Sequence, residues 1–443
     1  MARRLVVIGG DAAGMAAASQ ARRRQGPEEL EIVALERGRW TSYSACGIPY
    51  LVGGEVDQLE DLVARTPAQF ASQDIDVRIR HEVTEIDLDR REVVVDDLDG
   101  GGSSRIGFDL LQIGTGARPI RPDLPGIDGE QVHGIQTLGD AAALLEKASA
   151  QKVVVVGGGY IGLEMAEAFV RRGAEVTVVE ASPEVMGSLD TDVAGLVSEA
   201  MRSTGIDVRC GTSVTAFEPG RVTTSAGEIP ADLVVLGLGV TPNSDLASAA
   251  GIEIGLRDAI VVDDRQRTGA AGVWAAGDCV QSHHLVSNRP AYIPLGTHAN
   301  RQARVAGLDM NGAKARFPGL VGTAVTKICA TEVARTGLNS HECEEAGLQW
   351  AAETIESTTR AGYYPGAGKI TVKLLGEKGS GRLLGAQLVG LEGAAKRVDI
   401  IATALHAGMT VADVIDLDLG YAPPFSPLWD PVQTAARALL SQL

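Results

Sequence analysis

The sequence predicts an α/β fold: two Rossmann-like, three-layer nucleotide-binding domains followed by a C-terminal α+β domain. Three observations carry this. A strand–glycine turn–helix–strand unit occurs twice, each copy closes on a glutamate, and the pattern changes character after Gly322. In the first copy residues 5–8 read as a buried strand, 9–14 as a tight turn, 15–24 as a helix and 30–35 as the next strand, ending at Glu36. In the second copy the same series runs through 153–156, 157–162, 163–172 and 176–179, and ends at Glu180.

The second turn is a complete Gly-x-Gly-x-x-Gly. Gly157 makes the turn, Gly159 admits a pyrophosphate, and Gly162 lets the helix pack closely on the strand. Tyr160 and Ile161 lie in the same turn, where helix amides face an anion. Glu180 is placed to accept from a ribose 2′-hydroxyl. Its charge would repel a 2′-phosphate, and the following Ala181-Ser182 supplies no arginine, so NADH is expected ahead of NADPH. The first turn keeps Gly9 and Gly14, with Glu36 as ribose acceptor, but Asp11 stands where the middle glycine belongs. A carboxylate there has to point away from a pyrophosphate or pair with another group.

Between the two units, residues 77–86 and 92–95 read as strands of an inserted sheet. Residues 108–113 then run into Gly114-Thr115-Gly116-Ala117-Arg118-Pro119, where glycine permits close approach to a ligand. Residues 233–238, followed by Gly239, repeat that arrangement. A third short strand, 273–276, ends in Gly277-Asp278, in a segment that starts after Gly251 and returns to the first domain. These extra ligand-facing turns make FAD the expected occupant of the first site, with Asp278 near its ribityl or phosphate region. Beyond Gly322, residues 323–329, 350–357, 369–374 and 383–389 read as strands. Residues 394–407 and 410–416 read as helices, and Tyr421-Ala422-Pro423-Pro424-Phe425 as a rigid loop.

The 443 residues are enough for several cores, and the formal charge of -17 argues against nucleic acid or an anionic membrane as a partner. No apolar run reaches the roughly 18 residues of a membrane span, and five scattered cysteines do not form a secreted disulfide framework. A cytoplasmic enzyme is expected. One cysteine stands apart. Cys46, in Ser42-Tyr43-Ser44-Ala45-Cys46-Gly47-Ile48-Pro49-Tyr50, follows the first nucleotide unit and has no Cys-x-x-Cys or Cys-x4-Cys partner. A lone thiol beside a dinucleotide points to redox chemistry whose second sulfur comes from another molecule. Cys210, Cys279, Cys329 and Cys343 read as small buried residues. His283, His284 and His298 have no metal-site spacing and read as a solvated loop pair plus one helix residue; no metal is expected.

With these residues in view, the chain resembles the pyridine nucleotide–disulfide oxidoreductases. Within them it is most similar to the single-cysteine group of coenzyme A-disulfide reductases, CoA-persulfide reductases and NADH oxidases. The strongest points of likeness are 42–50, 115–119, 157–164, 276–278, 362–366 and 421–425. The resemblance implies an FAD domain from residues 1–115 and 250–320, an NAD(P)H domain at 116–249 and a dimerisation domain at 321–443. It implies a homodimer in which Tyr363 and Tyr421 reach the opposite subunit's thiol, with Glu164 near the nicotinamide. It places Thr115, Gly116, Arg118, Gly239 and Gly277 among the cofactor contacts. Electrons would pass from NADH through FAD to Cys46; where Cys46 carries a mixed disulfide with CoA, reduction would release the CoA thiol, and Tyr421 would protonate the departing thiolate.

Gln20, Arg23 and Ser42 match residues that hold the CoA chain in such reductases, whereas Ala45 replaces an asparagine. Asp11 occupies a loop that carries a histidine in NADH peroxidases and many NADH oxidases of this group, which disfavours oxygen chemistry. Gly114 departs from the usual alanine, with little consequence expected. The persulfide reductases often carry a C-terminal sulfurtransferase domain; here a sulfur donor is expected to act in trans. Two other readings stand beside the reductase: an NADH oxidase making water or peroxide, and a flavin relay to a protein acceptor.

Overall fold

Leu5, Val6, Val7 and Ile8 fill the central strand of a five-stranded parallel sheet. The computed structural model describes residues 2–443. It orders this sheet Val273–Ala275, Leu110–Ile113, Arg3–Ile8, Leu30–Glu36, Asp76–Ile79. Its neighbouring strands all pair in parallel, and their apolar runs suit a sheet covered on both faces. A second parallel sheet runs Val132–Gly134, Leu233–Leu236, Lys152–Val156, Glu175–Val179, Asp207–Arg209. The two sheets match strand for strand. They differ in where the first strand comes from: Val132–Gly134 precedes its unit, whereas Val273–Ala275 returns to the first sheet after the whole second unit has been threaded.

Each half also carries an antiparallel meander. One is His81–Asp87, Glu92–Asp97 and Gly102–Gly107; the other is Val214–Glu218, Arg221–Thr224 and Gly227–Pro230. The chain leaves the first half and returns to it through an antiparallel pair, Ala117–Pro119 with Val240–Pro242.

The C-terminal part is a five-stranded antiparallel sheet ordered Ala324–Ile328, Thr331–Gly337, Leu383–Gly390, Lys369–Glu377, Trp350–Thr358. Side chains alternate across it. Val372, Leu374, Ala386 and Leu388 pack into a core with helices Ala394–His406 and Pro431–Leu440. Lys373 and Gln387, paired neighbours between them, point the other way and meet Asp190 of the second half. The Lys373 ammonium lies 2.9 Å from Asp190 and 2.7 Å from Asp192, and the Ser340 hydroxyl donates to Asp190 at 2.7 Å. The two units are therefore latched by a largely buried ionic cluster.

Several sequence-based expectations need correction. Residues 77–86 are not one strand. Arg80 adopts a positive φ of 60°, so Asp76–Ile79 closes the edge of the first parallel sheet and only His81–Asp87 enters the meander. Strands Gly102–Gly107 and Thr331–Gly337 were not anticipated. The second is internal to its sheet, but its Glu332 and Arg335 interrupt the apolar run that would have announced it. The helices that follow the two glycine turns are Ala12–Arg22 and Tyr160–Arg171, so each begins inside its turn. His284 is not a solvated loop residue: it ends a short strand, Ser282–His284, and is 4 % exposed. Cys210 and Cys329 are only half-buried, while Cys279 and Cys343 are buried as expected. Among the described residues no helix is long and apolar enough to cross a membrane.

Candidate active site

Both glycine turns are built by the same steric requirement. Gly9 and Gly157 have φ of 100° and 102°. A Cβ at Gly14 would sit 1.8 Å from the Gly9 carbonyl oxygen, and one at Gly162 would sit 2.1 Å from that of Gly157. Only glycine lets each helix start against its strand. Gly114 and Gly237 complete the packing, since a Cβ there would meet Gly14 and Gly162 within 3.0 Å. Glycine at 114 thus serves the close fit. Gly159 differs: its nearest neighbour to an added Cβ is 3.8 Å away. That is open space above the turn, and it fits a pyrophosphate.

The two glutamates are held alike. Glu36 accepts from the amides of Gly10 at 2.7 Å and Gly38 at 2.6 Å, and Glu180 from those of Gly158 and Ser182, both at 2.7 Å. Each carboxylate is fixed at the tip of its second strand with lone pairs left for a ribose. Asp11 satisfies the condition set by its position. Its carboxylate turns away to accept the Tyr43 amide at 3.1 Å, in the segment that carries Cys46. Burial pushes its carboxyl up to about 6, the Tyr43 amide pulls it down, and Glu36 pushes it up further. Asp278 is also pushed up to about 6 by burial, and its backbone carbonyl accepts the Tyr292 hydroxyl at 2.8 Å.

One cleft of about 2590 Å³ runs past both turns. From the first half it takes Gly9, Glu36, Thr115, Gly116, Arg118, Gly277 and Asp278. From the second it takes Gly157, Gly159, Tyr160, Ile161, Glu180 and Gly239. Gly14 and Gly162 lie behind their turns. Thr115 and Arg118 also tie the two chain crossings together: the Thr115 hydroxyl donates to the Asn243 carbonyl at 2.6 Å, and Arg118 pairs with Asp245 at 2.8 Å.

Of the five cysteines, Cys46 alone lines the cleft. It sits in a single helical turn, Ala45–Gly47, at the head of helix Ile48–Gly53. The approach is pinned by backbone: Ser42 donates to the Gly10 carbonyl at 2.9 Å, and Ala64 donates to the Ser42 carbonyl at 2.8 Å. The Cys46 residue presents open surface to the cleft, yet the surrounding walls desolvate its sulfur. That desolvation raises the thiol above the usual cysteine range, and the carboxylates of Glu164, Asp278 and Asp11 raise it further. Against these, a backbone hydrogen bond at Cys46 favours the thiolate. Glu164 is itself raised by burial and accepts the Thr326 hydroxyl at 2.6 Å.

Five further expected residues lie elsewhere. Gln20 is half-buried against Gly307, Arg23 is exposed at the end of the first helix, and Ser42 contributes backbone; none of the three lines the cleft. Tyr363 and Tyr421 are also outside it, 78 % and 46 % exposed, beside Phe425 at 76 %. The Tyr421 phenol is the neighbour that raises Tyr363. Sequence reasoning missed the residues that brace the site from a distance. Gln302 accepts the Gly277 amide at 2.9 Å, and Arg335 donates to the Ser188 carbonyl at 2.7 Å next to Tyr160. Neither has a local signature.

Residues 3–303 match the pyridine nucleotide-disulphide oxidoreductase family, and residues 323–431 match that family's dimerisation domain. The chain is 37% identical over 444 residues to a CoA-dependent NAD(P)H sulfur oxidoreductase of Pyrococcus abyssi, covering 98% of both chains. It is 32% identical over 449 residues to an NADH oxidase of Methanocaldococcus jannaschii, covering 99% of both. Its fold superposes with a TM-score of 0.96 on an NAD-dependent persulfide reductase from A. fulgidus, at 40% identity, covering 99% of this chain and 83% of that one. The open space above one glycine turn, the two amide-held strand-end glutamates and the cleft between them fit FAD and a nicotinamide dinucleotide. The chain belongs to the pyridine nucleotide-disulphide oxidoreductase family, a family of FAD- and NAD(P)H-dependent enzymes.

Proposed function

We propose that this enzyme is an NADH-dependent reductase of CoA disulfide, CoA persulfide or a related low-molecular-weight disulfide, with Cys46 as its single redox thiol. One observation carries the reading: the cleft that joins both dinucleotide turns contains one cysteine and no second protein sulfur. The similarity to the CoA-dependent sulfur oxidoreductase supports the choice of sulfur partner.

In this reading residues 1–115 with 250–320 hold FAD, 116–249 hold NADH, and 321–443 pair two subunits. Gly9, Glu36, Thr115, Gly277 and Asp278 hold FAD, and Gly157, Gly159, Glu180 and Gly239 hold the nicotinamide dinucleotide. FAD, when bound, supplies the two-electron link between nicotinamide and sulfur. The Cys46 thiolate attacks the substrate disulfide, forming a mixed disulfide and releasing one thiolate. Two electrons from NADH then break that mixed disulfide, restoring the Cys46 thiolate and releasing the second thiol. The exposed Tyr363–Tyr421 pair belongs to the partner subunit's site, where Tyr421 gives the leaving thiolate its proton. Gln20 and Arg23 act on the outer surface as contacts for the CoA phosphates. Five unpaired thiols suit a reducing, cytoplasmic setting.

The test is mass measurement of purified protein before and after thiol reduction, paired with anaerobic NADH consumption. A CoA-sized adduct on Cys46 and NADH oxidation dependent on CoA disulfide are expected. NADH loss only when oxygen is admitted would replace this reading with the NADH oxidase, which the Methanocaldococcus relative favours. A Cys46→Ser variant that still turns over disulfide would end the thiol mechanism.

A further inference from the structure

The two phenols are poorly packed, so their placement has to come from the backbone that carries them. Tyr363 lies in the loop 359–368 between strands Trp350–Thr358 and Lys369–Glu377, and Tyr421 lies at the start of 421–425. The loops touch directly, where the Ala361 amide donates to the Pro423 carbonyl at 3.1 Å. Beneath that contact sits Arg397, on helix Ala394–His406 and only 8 % exposed. Its Nε donates to Asp430 at 2.9 Å. Its Nη2 donates to the Thr359 carbonyl and to the Phe425 carbonyl, each at 2.9 Å. Asp430 is fixed in turn by accepting the Val432 amide at 2.9 Å and the Ser426 hydroxyl at 3.2 Å.

A guanidinium presents its donors in one rigid plane. Once Asp430 fixes Nε, the direction of Nη2 is set, and with it one carbonyl of each tyrosine loop. A buried cation left without these acceptors is strongly unfavourable, so the loops cannot drift apart without exposing that charge. Gly393 makes the room: a Cβ there would come within 2.4 Å of the Arg397 Nη1.

We propose that Arg397 is a positioning residue that locks the Tyr363 and Tyr421 loops into one unit, setting the geometry in which the phenol pair meets the partner subunit's Cys46. This rests on the reading of the two tyrosines as proton donors across the dimer. Arg397 touches no substrate and acts only through the loops. A lysine at 397 keeps the charge and one bond but cannot hold both carbonyls and the carboxylate.

The experiment compares the full-length flavin-loaded wild type with R397K, R397Q, Y363F and Y421F. R397K is expected to remain a dimer with wild-type NADH-to-dye transfer and an unchanged KM for NADH. Its kcat with CoA disulfide should fall about ten-fold, in line with a small misplacement of reacting groups, and R397Q should fall further. Slowed phenylalanine variants beside arginine variants with wild-type kcat would overturn this inference alone. Phenylalanine variants with full disulfide turnover would overturn the phenol reading and the inference with it. The wild type gives an answer that needs no variant. Amide exchange at Ala361 should be slow beside that at Gly362, and equal, rapid exchange at both would overturn the lock.

Discussion

The Thr326 hydroxyl donates to Glu164 across the boundary between the C-terminal sheet and the second nucleotide unit, and Glu164 in turn raises the Cys46 thiol. Replacing Glu164 by glutamine removes a negative charge and should lower the Cys46 pKa. At pH 8 the thiolate fraction rises, so alkylation of reduced enzyme by iodoacetamide should speed up by about two- to five-fold. Thr326→Val should act in the same direction more weakly, because it removes a bond that favours ionised Glu164. Unchanged or slower alkylation in Glu164→Gln would sink this account.

Glu180 is held by two backbone amides at the tip of its strand. Glu180→Ala should raise the KM for NADH about ten-fold with little change in kcat, since a ribose contact is made in ground and transition states alike. The preference for NADH over NADPH should narrow because the repelling charge has gone. Steady-state kinetics with both cofactors measures this; an unaltered ratio would mean that Glu180 does not face the ribose.

His284 is buried, and burial pushes its imidazole down to about 4 from an ordinary 6.5. Its Nδ1 accepts the Ser287 amide at 3.3 Å, so the neutral ring is the one that fits. Glu342 opposes the shift, while Arg335, His283 and His298 add to it. The folded pKa lies below the unfolded one. The stability linked to this group is therefore complete above about pH 6.5 and is lost as pH falls toward 4, up to roughly 3 kcal/mol. His284→Asn should flatten the acid limb of a thermal-stability profile over that window, and an unchanged limb would refute the assignment.

Asp309 is 4 % exposed at the end of helix Gly296–Asp309. It accepts Arg267 at 2.5 and 3.0 Å and the Trp274 indole at 3.0 Å, joining that helix to strand Val273–Ala275. Asp309→Ala leaves the buried Trp274 indole donor unpaired, while the half-exposed Arg267 turns to water, at a cost of about 2 kcal/mol. The melting temperature of the flavin-loaded protein should fall by several degrees, with NADH-binding residues untouched. A shift under one degree would show that water replaces the carboxylate.

The sequence disclosed what is local. Gly9 and Gly157 announce turns by their positive φ, and Gly162 by its contact with the Gly157 carbonyl five residues back; the apolar runs beside them announce buried parallel strands. Cys46 was legible because no second cysteine stood near it. Strand Thr331–Gly337 was not, since its Glu332 accepts the Ala395 amide and its Arg335 donates to the Ser188 carbonyl, both far along the chain. His284 looked solvated for the same reason: its cover comes from elements that follow it.

Sequence alone therefore determined the two nucleotide units, the glutamates that close them and the lone thiol, each a property of a short segment and its backbone sterics. Tertiary structure decided which carboxylates crowd Cys46, where Asp11 turns, how Asp190 latches to Lys373 and what holds the tyrosine loops together. Those outcomes depend on contacts such as Glu164 with Thr326, 162 residues apart. No period or motif within one segment encodes such a contact, because it forms only when separately folded elements are packed together.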